Sequence, residues 1–309
     1  MSCSAARTVT ATAPAKINLC LGVGPVRADG FHPLATVYQA VGLLDTVTVS
    51  WASETTITVT GEDRIDLSGV PTDHTNIAAR AAGLLAAHHG RDAAVRIAIH
   101  KGIPVAGGLA GGSADAAATL VACDALWQTG TSLPDLLALA GRLGSDVPFC
   151  VLGGTASGSG HGELVAPVPT RGEHWWTVLE SAEGLSTPTV YAEFDLLHAD
   201  RPVQAPTVPA VLLDALGAGD VAALGAALTN DLQEAALRLR PELGRSLAVG
   251  REAGAHGALV SGSGPTCVFL CADEAHAGAV ADALGAHGLG PASVAPGPVA
   301  GARVVEVGD

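Results

Sequence analysis

Apolar and polar positions alternate with period two over Thr8–Ala13, Ile17–Val23, Thr46–Trp51, Thr56–Thr60 and Ala94–His100. Such alternation predicts half-buried strands. Between them, Asn76 to His88 is alanine-rich with helical spacing, and Ser113 to Trp127 and Leu133 to Leu143 follow the same pattern. Gly144 ends the last of these. A glycine-dense stretch, Gly153 to Gly162, then precedes a strand expected near Trp175 and Trp176. Alanine and leucine patterns predict helix from about Val208 to Gly254. A strand–turn–strand unit is expected over Gly257–Cys271, a helix over Glu274–His287 and a last strand near Arg303–Val307. Strands grouped with helices of unequal length point to an α+β fold rather than a regular βαβ array.

The chain has 309 residues. At ~150 residues per domain that gives two domains, expected as residues 1–165 and 166–309. Apolar residues make 48% of the chain and aromatics 3%, so Ala, Val and Leu must build the core. With 16 basic and 30 acidic side chains the net charge is −14, which argues against nucleic acid or an anionic membrane as partner. The uncharged run Ala253 to Ala272 carries five Gly and Pro residues and reads as a buried turn between elements, not a membrane span. The start of the chain lacks an apolar signal core. Six scattered cysteines (Cys3, Cys20, Cys123, Cys150, Cys267, Cys271) form no C-x-x-C pair and read as reduced thiols of a cytoplasmic protein, a monomer or homodimer.

The strongest local chemistry is the loop Pro104 to Ser113, PVAGGLAGGS, leading directly into a helix. Gly107, Gly108, Gly111 and Gly112 allow positive φ angles and close approach to a ligand. The unpaired N–H groups behind them make an anion site suited to a polyphosphate. A plain strand-to-helix turn is the alternative. No lysine follows these glycines, which excludes a P-loop, and the dinucleotide fingerprint is missing too. Ser113 is placed to cap the helix.

The loop resembles the central motif of the GHMP kinases (galactokinase, homoserine kinase, mevalonate kinase, phosphomevalonate kinase). Pro14-Ala-Lys-Ile-Asn-Leu19 and Ser261-Gly-Ser-Gly-Pro-Thr266 sit where that family places its other motifs. Asp29-Gly-Phe-His-Pro-Leu34 and Gly144-Ser-Asp-Val-Pro-Phe149 resemble the branch that acts on a cytidine-diphosphate-linked polyol in the non-mevalonate isoprenoid route. The resemblance implies a two-domain fold with an inter-domain active site, ATP as phosphoryl donor and Mg2+ as cofactor. It places Pro104, Gly107, Gly108, Leu109, Ala110, Gly111, Gly112 and Ser113 on the nucleotide, with Asn76 near the adenine.

The chain contains two lysines, Lys16 and Lys101, and both fall inside these segments. A compact, mobile ammonium is a different tool from arginine's rigid fork. The resemblance puts Lys16 beside the catalytic aspartate and Lys101 near the nucleotide. Asp146 is the candidate carboxylate; sequence alone favours an Asx-turn or capping residue there, and the resemblance, whose catalytic aspartate occupies this motif, reverses that preference. For the acceptor, Phe31 and Tyr191 offer faces to stack on cytosine, His32 a reader of its edge, and Asn18 a contact for the polyol. Phe31 stands where the family usually has tyrosine, so a hydroxyl is lost. Tyr191 also suits a helix-face core, Asn18 a buried amide, and Asn76 a helix N-cap. Ser113 is a contact for magnesium or phosphate, or only a cap. A homoserine or mevalonate acceptor would call for basic anchors, and a non-catalytic nucleotide-binding regulator would not need both Lys16 and Asp146.

Overall fold

The computed structural model describes residues 7–28, 30–105, 107–181, 184–200 and 203–308. Cys3, Asp29 and Ala106, used above, lie outside the described residues. In chain order come β1 (Thr8–Val23), β2 (Leu34–Trp51), β3 (Thr56–Gly61), α1 (Ile77–His88) and β4 (Val95–Lys101). Then follow α2 (Gly111–Trp127), α3 (Leu133–Gly141), α4 (Val147–Leu152), β5 (Thr155–Ser159), β6 (Leu164–Pro167) and β7 (His174–Leu179). Next are α5 (Thr187–Leu197), α6 (Ala210–Ala218), α7 (Val221–Ala227), β8 (Thr229–Asn230), α8 (Gln233–Leu239) and α9 (Glu242–Glu252). The chain closes with β9 (Gly257–Val260), β10 (Cys267–Cys271), α10 (Glu274–Ala286), β11 (Ala292–Gly297) and β12 (Arg303–Gly308).

Two sheets organise this α+β chain. An eight-stranded sheet runs β12-β1-β2-β4-β3, with β5 joined to β2, β6 to β5 and β8 to β1. A four-stranded sheet runs β11-β7-β10-β9. The expected boundary at 165 falls inside β6, and β12 returns to the first sheet. α2 lies on β1 and β2 with α1 beside it, and its alanines (Ala114, Ala116, Ala117, Ala118, Ala122) are buried in one core with Ile17, Leu19, Val47 and Ile97. Small side chains let this helix approach the sheet closely.

Several elements differ from the sequence reading for identifiable reasons. Thr8–Ala13 and Ile17–Val23 are one strand, because Pro14 coincides with a register shift of the β1–β2 ladder. A proline is tolerated where a bulge interrupts pairing. The first half of β2 escaped alternation because it is buried almost throughout. The glycine-dense segment is no linker but part of the β5–β6 hairpin. A Cβ on Gly158 would sit 2.6 Å from the Tyr38 ring, and one on Gly153 would meet the backbone of Gly301. These glycines admit close crossings. The long helical expectation after Val208 resolves into α6 to α9, with Asp220 capping α7 and Pro241 at the cap of α9. β11 was masked by its Pro296 and Gly297. The two sheets are tied by the buried Gln39 amide, whose oxygen accepts the Trp176 indole N–H at 2.9 Å and whose nitrogen bonds Thr155 at 3.1 Å. Among the described residues, no helix is long and apolar enough to cross a membrane. Cys20, Cys123, Cys150, Cys267 and Cys271 are free thiols.

Candidate active site

A cleft of about 970 Å³ is lined by residues from both halves of the chain, from Lys16 through Ser263. Its centre is set by β1. Lys16 and Asn18 lie two positions apart on an extended chain, and both point to the same face. The Lys16 ammonium donates to Asn18 Oδ1 at 2.9 Å and lies 3.7 Å from Asp146 Oδ2. It also stands 5.7 Å from the centroid of the Tyr38 ring. Asn18 in turn donates to Thr36 Oγ1 at 2.8 Å, which fixes the amide with its oxygen toward the lysine. The backbone N–H of Lys16 donates to Leu109 O at 3.1 Å, so β1 is stitched directly to the glycine loop.

Asp146 occupies the N-cap position of α4, but its side chain makes no capping bond. Its carboxylate is turned to Lys16 instead, with 28% of the side chain exposed in the cleft. The capping alternative is therefore not what the structure contains. Burial, followed by the neighbouring Asp146 charge, holds the Tyr38 phenol well above its ordinary value. Tyr191 is pushed up to about 12 for the same two reasons. Neither phenol ionises in the working range, and both enter the cleft as neutral rings.

The glycine loop is packed against a second glycine ribbon, Ser261 to Thr266, between β9 and β10. A Cβ on Gly107 would lie 2.7 Å from Thr266 Oγ1, and one on Gly108 2.7 Å from Ser261 O and 3.1 Å from Gly264 O. Gly108 has φ 76°. Positive φ was expected of four glycines; the loop uses it at Gly108 and at Ala110, a non-glycine at φ 62°. That residue is the N-cap of α2. Strain of this kind persists only where surrounding structure enforces it. Gly107, Gly108, Ala110, Gly111 and Gly112 line the cleft. Leu109 is buried at 1% exposure and contributes its carbonyl to Lys16, while Pro104 begins the loop away from the cleft wall.

The structure corrects one expectation and places two other residues outside the cleft lining. Ser113 does not cap α2, because the helix begins two residues earlier and its cap is the left-handed Ala110. Lys101 does not line the cleft. Its ammonium is buried behind Gly111, held by Asp115 at 2.7 Å and by Asp45. Burial pulls against its charge, but the two carboxylates outweigh this and raise its pKa. Burial likewise lifts Asp115 to about 8 against the opposing pull of Lys101. Asn76 spends its amide on α1, accepting from Ala78 N at 2.8 Å and donating to Pro71 O at 2.6 Å, and stands outside the cleft lining.

At the other end of the cleft, His32 is 7% exposed, and its Nδ1 donates to Gly24 O at 2.7 Å. That bond leaves Nε2 facing the cleft, 3.6 Å from Asp195 Oδ1. The Tyr191 ring tilts over the imidazole with centroids 5.1 Å apart, and Phe194 meets it edge-on. Phe31 is 60% exposed and meets His161 edge-on at 4.8 Å. Tyr191 sits on α5, so both its helical position and its cleft position hold. Sequence reasoning missed Tyr38, His161, Glu163 and Asp195, which all line the cleft. It also missed Asn230, whose amide donates to Val260 O and Gly262 O at 2.7 Å and holds the second ribbon. None of them falls inside the motifs quoted above, and no local pattern marked them.

Residues 76–154 match the family model of the GHMP kinases N-terminal domain and residues 212–289 that of the GHMP kinases C-terminal domain. The chain is 58% identical to a 4-diphosphocytidyl-2-C-methyl-D-erythritol kinase of Nocardioides sp., covering 95% of this chain and 98% of that one. It is 54% identical to a relative of the same name from Thermobifida fusca, over 98% of this chain and 100% of the relative. A crystal structure of 4-(cytidine 5'-diphospho)-2C-methyl-D-erythritol kinase superposes with TM-score 0.76 at 33% identity, over 94% of this chain and 99% of that one. A homoserine kinase from Cytophaga hutchinsonii shares the fold, with TM-score 0.75 at 21% identity. With both domain models matched and relatives this similar along nearly the whole length, the chain belongs to the 4-diphosphocytidyl-2-C-methyl-D-erythritol kinases of the GHMP kinase family.

Proposed function

We propose that this protein transfers the γ-phosphoryl group of ATP to the 2-hydroxyl of 4-diphosphocytidyl-2-C-methyl-D-erythritol, in the non-mevalonate route to isoprenoid precursors. The observation that carries the reading is the approach of Lys16 Nζ to Asp146 Oδ2, 3.7 Å apart, in a cleft also lined by the glycine loop. Phosphoryl transfer rests on in-line placement and charge neutralisation. Asp146 orients the acceptor hydroxyl and takes its proton as the bond to phosphorus forms; Lys16 offsets charge on the transferring group. Asn18 holds the Lys16 ammonium in place and faces the polyol. The triphosphate lies along Gly107, Gly108, Ala110, Gly111 and Gly112, where N–H groups at the start of α2 converge.

In this reading residues 1–165, joined in the first sheet by β12, form the nucleotide lobe, and the rest of 166–309 forms the second lobe. Lys101 acts from beneath the loop by keeping Asp45 and Asp115 in place. Among the described residues, no group of three or more His, Cys, Asp or Glu side chains is arranged to hold a metal ion. A magnesium ion would be carried mainly by nucleotide phosphates and water, with the Ser113 hydroxyl as its protein contact. When bound, magnesium neutralises phosphate charge. Cytosine fits between Phe31 and Tyr191, with His32 Nε2 on its edge. The buried free thiols support a cytoplasmic setting.

Among the described residues, the lining holds no arginine to anchor a carboxylate, which disfavours homoserine or mevalonate as acceptor. A coupled ADP-release assay with the three acceptors tests this. Turnover with the cytidine diphosphate compound and little with the other two is expected; free methylerythritol phosphate should also be poor. Equal turnover of mevalonate or homoserine would overturn the assignment.

A further inference from the structure

The turn joining β5 to β6, residues 160–163, lies between the two ends of the cleft. At one side its His161 ring meets Phe31, with centroids 4.8 Å apart and planes at 70°. At the other, a Cβ on Gly162 would lie 2.3 Å from the Tyr38 hydroxyl and 3.8 Å from Ser145 Cβ, next to Asp146 in the chain. His161 therefore stands on the stretch of wall that joins the base end to the reacting end. In the proposed substrate, the group spanning that interval is the diphosphate that links cytidine to the polyol.

The charge on this wall makes the position informative. Among the described lining residues, Lys16, His32 and His161 are the side chains able to carry positive charge. Lys16 is engaged by Asn18 and Asp146, and His32 is bound at Nδ1 to Gly24 O. On the same turn, Glu163 accepts from the His161 backbone N–H at 2.6 Å and adds negative charge to the lining. The His161 Nδ1 atom is shielded from solvent yet has no hydrogen-bond partner among the described residues. A buried polar atom without a partner is uncommon in a native fold.

We propose that His161 is a substrate-binding residue that holds the diphosphate of the cytidine-linked acceptor, with Phe31 setting the plane of its ring. This rests on the functional reading above and adds a contact that the motifs did not indicate. The imidazole edge that faces the cleft donates to a phosphate oxygen, beside the Glu163 and Asp146 carboxylates on the same wall. The Phe31 ring supplies an apolar surface that packs the imidazole edge-on.

The test uses the full-length protein with His161→Gln and His161→Arg. For His161→Gln, KM for the cytidine diphosphate acceptor should rise about tenfold, with kcat and the KM for ATP within about twofold. His161→Arg should recover most of the acceptor affinity, because a guanidinium donates strongly to phosphate oxygens. Competition supplies the second measurement. His161→Gln should weaken inhibition by CDP about tenfold and leave inhibition by cytidine unchanged. Unchanged KM for the acceptor, or equal weakening of CDP and cytidine, would overturn the proposal. If the wild-type protein failed to phosphorylate the acceptor at all, the functional reading would fall instead, so the two failures are distinguishable.

Discussion

Replacing Gly108 by alanine tests whether the glycine loop is held in a shape fixed by its contact with the second ribbon. The residue has φ 76°, a region that costs an L-residue roughly 1–2 kcal/mol. The new methyl would sit 2.7 Å from Ser261 O and 3.1 Å from Gly264 O. Both neighbours are backbone atoms and cannot rotate away. One ribbon must retreat by about half an ångström, and a misplacement of ~1 Å at a reacting group costs ~100-fold. The account therefore expects kcat/KM for ATP to fall by about 30- to 100-fold in Gly108→Ala. Stability should fall by only about 1–2 kcal/mol, a shift of a few degrees in melting temperature. Steady-state kinetics with ATP varied, paired with calorimetric melting, separates the two effects. A variant with normal kcat/KM for ATP would refute the argument. So would one whose activity loss merely tracks unfolding.

Two further outcomes follow from burial. Gly250→Ala in α9 would place a methyl 2.1 Å from Phe269 Cε1 in the second core, and overpacking of this kind should cost about 1–3 kcal/mol by urea denaturation. An unchanged midpoint would show that the helix and ring are less tightly apposed than described. Burial pushes the Cys20 thiol up to about 11 and raises Cys123, Cys150, Cys267 and Cys271 as well. At pH 8, below that value, only about one Cys20 thiol in a thousand is thiolate, so iodoacetamide should leave these five unlabelled until the protein unfolds. Rapid native labelling of any of them would contradict the burial.

Sequence gave access to those parts of the fold whose signals are local. Alternation marked β3, β4 and the end of β2, and the glycine loop announced the start of α2 to within two residues. Lys16 and Asp146 could be named from their motifs, yet nothing between positions 16 and 146 encodes their meeting. That depends on the β1–β2 register and on a turn at Gly144 that aims the carboxylate inward. Where a strand is buried on both faces, as in Leu34–Asp45, the two-residue rhythm disappears and only the fold reveals it. Glycine was only partly legible. The loop glycines read as room for a ligand, and at Gly153, Gly158 and Gly108 the residue marks places where another backbone or ring presses close. Asn76 and Lys101 show that residues in recognisable motifs also support the fold, one by capping α1 and the other through its buried pairs with Asp45 and Asp115. His161 and Asp195 reach the cleft through tertiary packing alone.

The joint action of β1 and the α4 cap on one hydroxyl is open to a rapid-quench single-turnover measurement, with enzyme in excess and both substrates saturating. The account predicts that Asp146→Asn and Lys16→Met each slow phosphoryl transfer by at least ~100-fold, while acceptor binding stays within a few-fold of wild type. A transfer step at the wild-type rate in either variant would contradict it.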